Sequence, residues 1–141
     1  MLPNHQKLEK LLILIILAVL TGTPFLHKVL GQFPPDWFIG KFDKSLIALV
    51  PGGVTLSFVI ITLLEASIAL CSLMAILRKE FMEEGSQRFS ALLFNLTLIL
   101  FIILLFGSFL VQDYNNGFRD FLYFSAIIYL RKVYFAQAQV E

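Results

Sequence analysis

The chain has 141 residues, 58% of them hydrophobic and 15% charged, with a net charge of +1 and a mean hydropathy of +0.83. Soluble domains run at about 45–50% apolar and about 25% charged, so this composition excludes an ordinary soluble globule and indicates an integral membrane protein. The near-neutral charge gives no reason to expect nucleic acid as a partner. The single cysteine, Cys71, excludes both an intramolecular disulfide and a Cys-x-x-Cys redox pair, and reads as a small packed apolar residue.

The first apolar run extends from Leu11 to Leu26, with Lys7 and Lys10 before it and His27 and Lys28 after it. A basic start before a short apolar stretch resembles a signal peptide, but Thr21-Gly22-Thr23-Pro24 is a poor cleavage site. Taken from about residue 8 to residue 30, the run is long enough to span a bilayer with its lysines snorkelling. Pro24 lacks a backbone donor and predicts a kink near the end of this helix.

Between Gly31 and Ser45 the rings of Phe33, Trp37, Phe38 and Phe42 mix with Lys41 and Lys44. Such mixtures suit the membrane–water boundary, and the spacing of Phe38, Lys41 and Phe42 predicts a short interfacial helix after Pro35. An anchor is the plainer reading, a ligand cap the sharper one. Pro51-Gly52-Gly53 then permits a tight turn from which a new helix starts at Val54.

The run from Val54 to Leu77 has 24 residues, about 36 Å as a helix, against a hydrocarbon core of roughly 30 Å. Glu65 lies alone near its middle. A charge there costs about 2.5 kcal/mol or more, which makes it a functional candidate, while the bland alternative is a protonated carboxyl acting as interhelical glue. Phe58, Thr62, Glu65, Ala69, Ser72 and Ile76 fall on one helical stripe, small and polar enough to face other helices. Candidate partners for Glu65 at similar depth are Thr21, Thr23 and Tyr129. None is a cation, so the expectation is the protonated, glue-like form, against the alternative of an ionised carboxylate paired to Lys28 or Arg119 reaching inward.

Further spans are expected at about 89–111 and 118–135, joined by the turn-rich Gln112-Asp113-Tyr114-Asn115-Asn116-Gly117. The predicted architecture is thus all-α: a membrane four-helix bundle in one domain, with spans at about 8–30, 54–77, 89–111 and 118–135. Seven basic residues (Lys7, Lys10, Arg78, Lys79, Arg88, Arg131, Lys132) then share one side, against four (Lys28, Lys41, Lys44, Arg119) on the other. The excess predicts cytoplasmic termini. Asn95-Leu96-Thr97 matches a glycosylation sequon inside a span, where no sugar can be added.

His27, Lys28, Lys41, Asp43, Lys44, Gln112, Asp113, Arg119 and Asp120 cluster at the outward ends of these spans. Lys28, Lys41, Gln112, Asp113 and Arg119 are the candidate ligand or partner contacts of a polar mouth, against the alternative of simple solvation. No His/Cys/carboxylate spacing suits a metal, two histidines within spans are lacking for haem, and no nucleophile–base signature is present.

The pattern resembles the DoxX-like superfamily of small four-helix membrane proteins. The resemblance rests on Gly22 followed by Lys28, and on Pro35-Asp36-Trp37-Phe38 leading to Lys41-Phe42. Leu64-Glu65-Ala66 with Ala69, and Gln112-Asp113-Tyr114 leading to Phe121-Leu122-Tyr123-Phe124, complete it. Ala69 stands where the family commonly has glycine. The resemblance implies a bacterial inner-membrane bundle linked to redox or sulfur metabolism, as in subunits of thiosulfate–quinone oxidoreductase or partners of oxidative-stress enzymes. It leads to the expectation of an accessory, non-catalytic subunit of a quinone-linked or oxidative-stress complex, or else a homo-oligomer in the lipid bilayer. The chain itself shows no cofactor motif; quinone is the one cofactor the reading admits. Two rival functions follow from the residues: a small proton-coupled transporter using Glu65, and a quinone- or lipid-binding module at the mouth, with Trp37, Phe38 and Tyr114 stacking on a ring.

Overall fold

A computed structural model of the chain describes residues 4–82 and 86–136, and the helical expectation holds throughout them. Five α-helices and one short 3-10 turn follow in order: α1 (Asn4–Leu30), α2 (Asp36–Phe42), the turn Leu46–Leu49, α3 (Gly53–Leu77), α4 (Arg88–Leu110) and α5 (Tyr114–Ala136). Among the described residues there is no strand. Three helices are long and apolar enough to cross a membrane: α1 from His5, α3 and α4. The protein is therefore helical and suited to a bilayer, and large side chains such as Leu30, Leu49, Leu63 and Leu77 point outward, as lipid requires. α5 equals α4 in length but carries Arg119, Asp120, Arg131 and Lys132, and it does not share that apolar character.

Element boundaries follow local chemistry. The aromatic–basic segment forms α2 after Pro35, as its spacing predicts. At the Pro51-Gly52-Gly53 corner Gly52 takes φ +72°, a left-handed conformation that side chains disfavour, and a Cβ on Gly53 would collide with the Ile47 carbonyl oxygen. α1 runs through Pro24 and begins at Asn4, earlier than the apolar run. α5 also begins earlier than expected. Asp113 accepts from the backbone N–H of Asn116 at 3.2 Å through Oδ1, and its carbonyl takes the first helical hydrogen bond from Gly117 at 2.9 Å. Asp113 is thus an N-cap, which turns the expected Tyr114–Gly117 loop into the first turn of a helix.

Neighbouring long helices run antiparallel: α3 packs between α1 and α4, and α4 between α3 and α5. The core holds Leu14 and Leu17 of α1, Phe58 and Ile68 of α3, and Leu93, Phe94 and Phe101 of α4. The small-residue stripe on α3 does face its neighbours. A Cβ on Gly22 would lie 3.7 Å from the Cβ of Ala69, so the α1 and α3 backbones approach closely there.

Candidate functional site

The sequence isolates Glu65; the fold gives it a partner. Lys28 Nζ donates to Glu65 Oε1 at 2.6 Å, with side-chain exposures of 17% and 7%. This corrects the expectation that no cation lies in reach of the carboxyl. Lys28 stands near the end of α1 on the face toward α3, and its long stem carries the ammonium inward from a backbone position nearer the helix end. The proposed hydroxyl partners do not serve. Thr21 Oγ1 donates to the Leu17 carbonyl at 2.8 Å, while Thr23 and Tyr129 are exposed. Lys28 also sits 5.5 Å from the centre of the Phe58 ring, a cation–π contact. It is therefore part-buried against Glu65 and Phe58 and does not line the cleft.

Thr62 and Ser72, the other two polar residues of the α3 stripe, are buried and structural. Thr62 Oγ1 returns to the Phe58 carbonyl of its own helix at 2.8 Å. Ser72 Oγ donates across to the Leu14 carbonyl of α1, tying the two helices together.

At the end of the molecule where α1 finishes and α3 begins, a cleft of about 600 Å³ opens between α2, α3, α4 and α5. Phe38, Phe42, Ile61, Ile103, Leu104 and Tyr123 line it with apolar surface, and Trp37, Lys41, Arg119 and Asp120 add the polar or amphipathic part. α2 does more than anchor. Phe38 is buried, and its ring meets Phe42 at 4.7 Å, Phe58 at 4.8 Å and Trp37 at 5.6 Å. The aromatic segment thus plugs the end of the helices and forms one wall of the cleft.

Three of the five expected mouth residues are found together. Lys41 Nζ donates to Asp113 Oδ2 at 2.7 Å, joining α2 to the α4–α5 connection. That hydrogen bond, with the Asn116 backbone N–H, holds the Asp113 carboxyl down at about 2 from its ordinary 3.8. Arg119 lines the cleft and makes no ion pair with another described residue. Beside it Asp120 Oδ2 accepts from Ser108 Oγ at 2.9 Å. Gln112, at φ +57° just past α4, stays at this outward end and lines a second hollow with Lys41, Asp43 and Lys44. Tyr114 does not line the cleft and stands edge-on to Phe109 at 5.9 Å.

A second polar cluster was not anticipated. Glu80, just past α3, accepts from the backbone N–H groups of Phe89 at 3.1 Å and Ser90 at 2.8 Å, and from Ser90 Oγ at 2.8 Å. Ser90 Oγ and the Tyr134 hydroxyl are 2.8 Å apart, and Lys10 lies over the Tyr134 ring at 5.2 Å. All four long helices meet here. A carboxylate at the start of a helix neutralises its exposed N–H groups and dipole, which is a structural task. The one clue in the sequence is an acid within ten residues of a helix that opens on Arg88-Phe89-Ser90.

Among the described residues no group of three or more His, Cys, Asp or Glu side chains could hold a metal ion. Set against known proteins, the chain matches no family model, no curated protein and no solved structure.

Proposed function

We propose that the protein is a multi-pass membrane module that binds an amphiphile in the cleft beside Trp37, with a quinone as its ligand. The carrying observation is the cleft itself: about 600 Å³, within the common size range of small-molecule sites, with a mainly apolar and aromatic lining and a few polar side chains. A planar ring head with carbonyl acceptors suits donors such as Arg119 and Ser57 next to aromatic walls. Arg119 supplies donors not engaged in an ion pair among the described residues, Ser57 adds a hydroxyl, and the apolar lining accommodates a hydrocarbon tail. In this reading α5 forms the fourth span, its charges sheltered by α4 or held near the ends, and the termini lie in the cytoplasm on the seven-to-four excess of basic residues. The DoxX-like resemblance adds a role: an accessory subunit that holds a quinone for a partner in a bacterial inner membrane.

The ligand test uses Trp37, the single tryptophan. A short-chain quinone titrated into the purified protein in detergent should quench its emission saturably, and Arg119→Ala should weaken the apparent affinity about tenfold, as expected for one charge-assisted hydrogen bond of about 1.5 kcal/mol. Organic extracts of the freshly purified protein should contain quinone. Extracts holding phospholipid alone, with no saturable quenching, would reassign the cleft to a lipid and end the quinone reading.

A further inference from the structure

Only one oxygen of Glu65 is satisfied. Oε1 accepts from Lys28, whereas Oε2 is buried and has no hydrogen-bond partner among the described residues. The residue as a whole is 5% exposed. An ionised carboxylate offers about four acceptor positions, and a buried charged oxygen left bare is costly. The smallest occupant that relieves this cost is a proton. Lys28, still 17% exposed along its side chain, keeps the pair in touch with the outside.

Among the described residues no other charged group pairs with Glu65. α4 carries no titratable side chain between Phe89 and Leu110, and the 3-10 turn Leu46–Leu49 carries none. On α2, Asp36 accepts from Gln32 and Lys41 is engaged by Asp113. On α1, His27 is exposed. Lys28 is therefore the one charged partner that the packed elements bring to Glu65.

The pair also touches the cleft through rings. Lys28 lies over Phe58, Phe58 meets Phe38 edge-on at 4.8 Å, and Phe38 meets Trp37 at 5.6 Å. Phe38 and Trp37 are cleft wall.

We propose that Glu65 and Lys28 form a proton-binding site coupled to the cleft through the Phe58–Phe38–Trp37 contacts. One proton passes from water to Glu65 Oε2, Lys28 keeps its own, and the charge of the pair rises from zero to plus one. Without its anion the Lys28 ammonium leaves the Phe58 ring for water, and the wall loses its support. The two-state element is the Lys28 side chain, held or released. By reciprocity, a ligand that needs the intact wall expels the proton. The coupling half rests on the cleft being a ligand site; the proton site does not.

Three readouts on the full chain in lipid nanodiscs test this. Infrared difference spectra from about pH 8 to about pH 4 should show a protonated-carboxyl band in the wild type that is missing in Glu65→Gln. Trp37 emission should shift over the same interval in the wild type and stay flat in Glu65→Gln, which separates Glu65 from Asp36 and His27. Short-chain quinone affinity should fall up to about tenfold per pH unit across that transition, and less than about twofold in the variant. If Glu65→Gln does not fold, Lys28→Gln/Glu65→Gln removes both charges and replaces it as control. Absence of a Glu65-dependent carboxyl band overturns the proton site. A band with unmoved Trp37 emission overturns the coupling. Quinone binding that is absent at every pH sinks the ligand reading alone, since the first two readouts need no ligand.

Discussion

The two ends of the helices solve the problem of polar groups in opposite ways. At the Lys10 end, Glu80 accepts three hydrogen bonds, Ser90 passes the chain on to Tyr134, and Lys10 covers the ring. At the Trp37 end, one ion pair, Lys41–Asp113, stands beside an open cleft, and Arg119 is left without one among the described residues. Closed networks hold helices together; unspent donors beside an apolar cavity are what a ligand can use. Between the ends, the Lys28–Glu65 pair shares features of both, bonded on one oxygen and bare on the other.

Removing the keystone of the closed end should do the most damage. Glu80→Ala strands the backbone N–H groups of Phe89 and Ser90, leaves Ser90 Oγ only Tyr134, and is expected to cost about 3 kcal/mol. Thermal and denaturant unfolding in a single detergent would read this, and a loss under about 1 kcal/mol would erase the contrast between the ends. The middle comes next. Lys28→Met leaves Glu65 without its cation, and although breaking a fully buried pair costs about 3–5 kcal/mol, residual exposure of Lys28 and the option of protonating Glu65 reduce the expected loss to about 2. The double variant Lys28→Met/Glu65→Leu should recover most of it, because neither charge is then stranded. A double variant as weak as the single one would show that packing, not the ion pair, matters there.

Much of this arrangement is legible in the residues. The three apolar helices, the helix after Pro35, the break at Pro51-Gly52-Gly53 and the inward-facing stripe of α3 all follow from hydropathy, spacing and backbone preference. The Lys28–Glu65 pair is only the weaker of two readings there, because backbone position puts no lysine at the depth of Glu65, and a lysine stem moves its charge well away from that position. Of the five mouth residues, Lys28 alone is taken away, since its ammonium reaches inward to Glu65. Gln112 stays at the outward end, and its left-handed backbone past α4 is a detail that composition does not reveal. The Glu80 cluster was missed because its members lie on separate helices, each unremarkable where it stands.

The smallest expected effect lies at the open end. Folding lowers the Asp113 carboxyl to about 2 from its ordinary 3.8, so its contribution to stability is present above about pH 4 and fades as pH falls through about 2. The melting temperature of the wild type should therefore decline slightly more steeply than that of Asp113→Asn between those values. Parallel profiles would mean that the Lys41 contact contributes nothing to folding, as many exposed pairs do not.

The corner at Gly52 and Gly53 sets a limit on how this chain can vary over time. Gly52 is left-handed, and Gly53 lies against the Ile47 carbonyl where a methyl group has no room. Loop positions elsewhere can drift one substitution at a time. Here a first change would push the Leu46–Leu49 turn out of place, and with it the entry angle of α3, the helix that carries Glu65 and part of the cleft. Lineages descending from this sequence are expected to lengthen, shorten or decorate their other connections freely while passing these two glycines on unaltered.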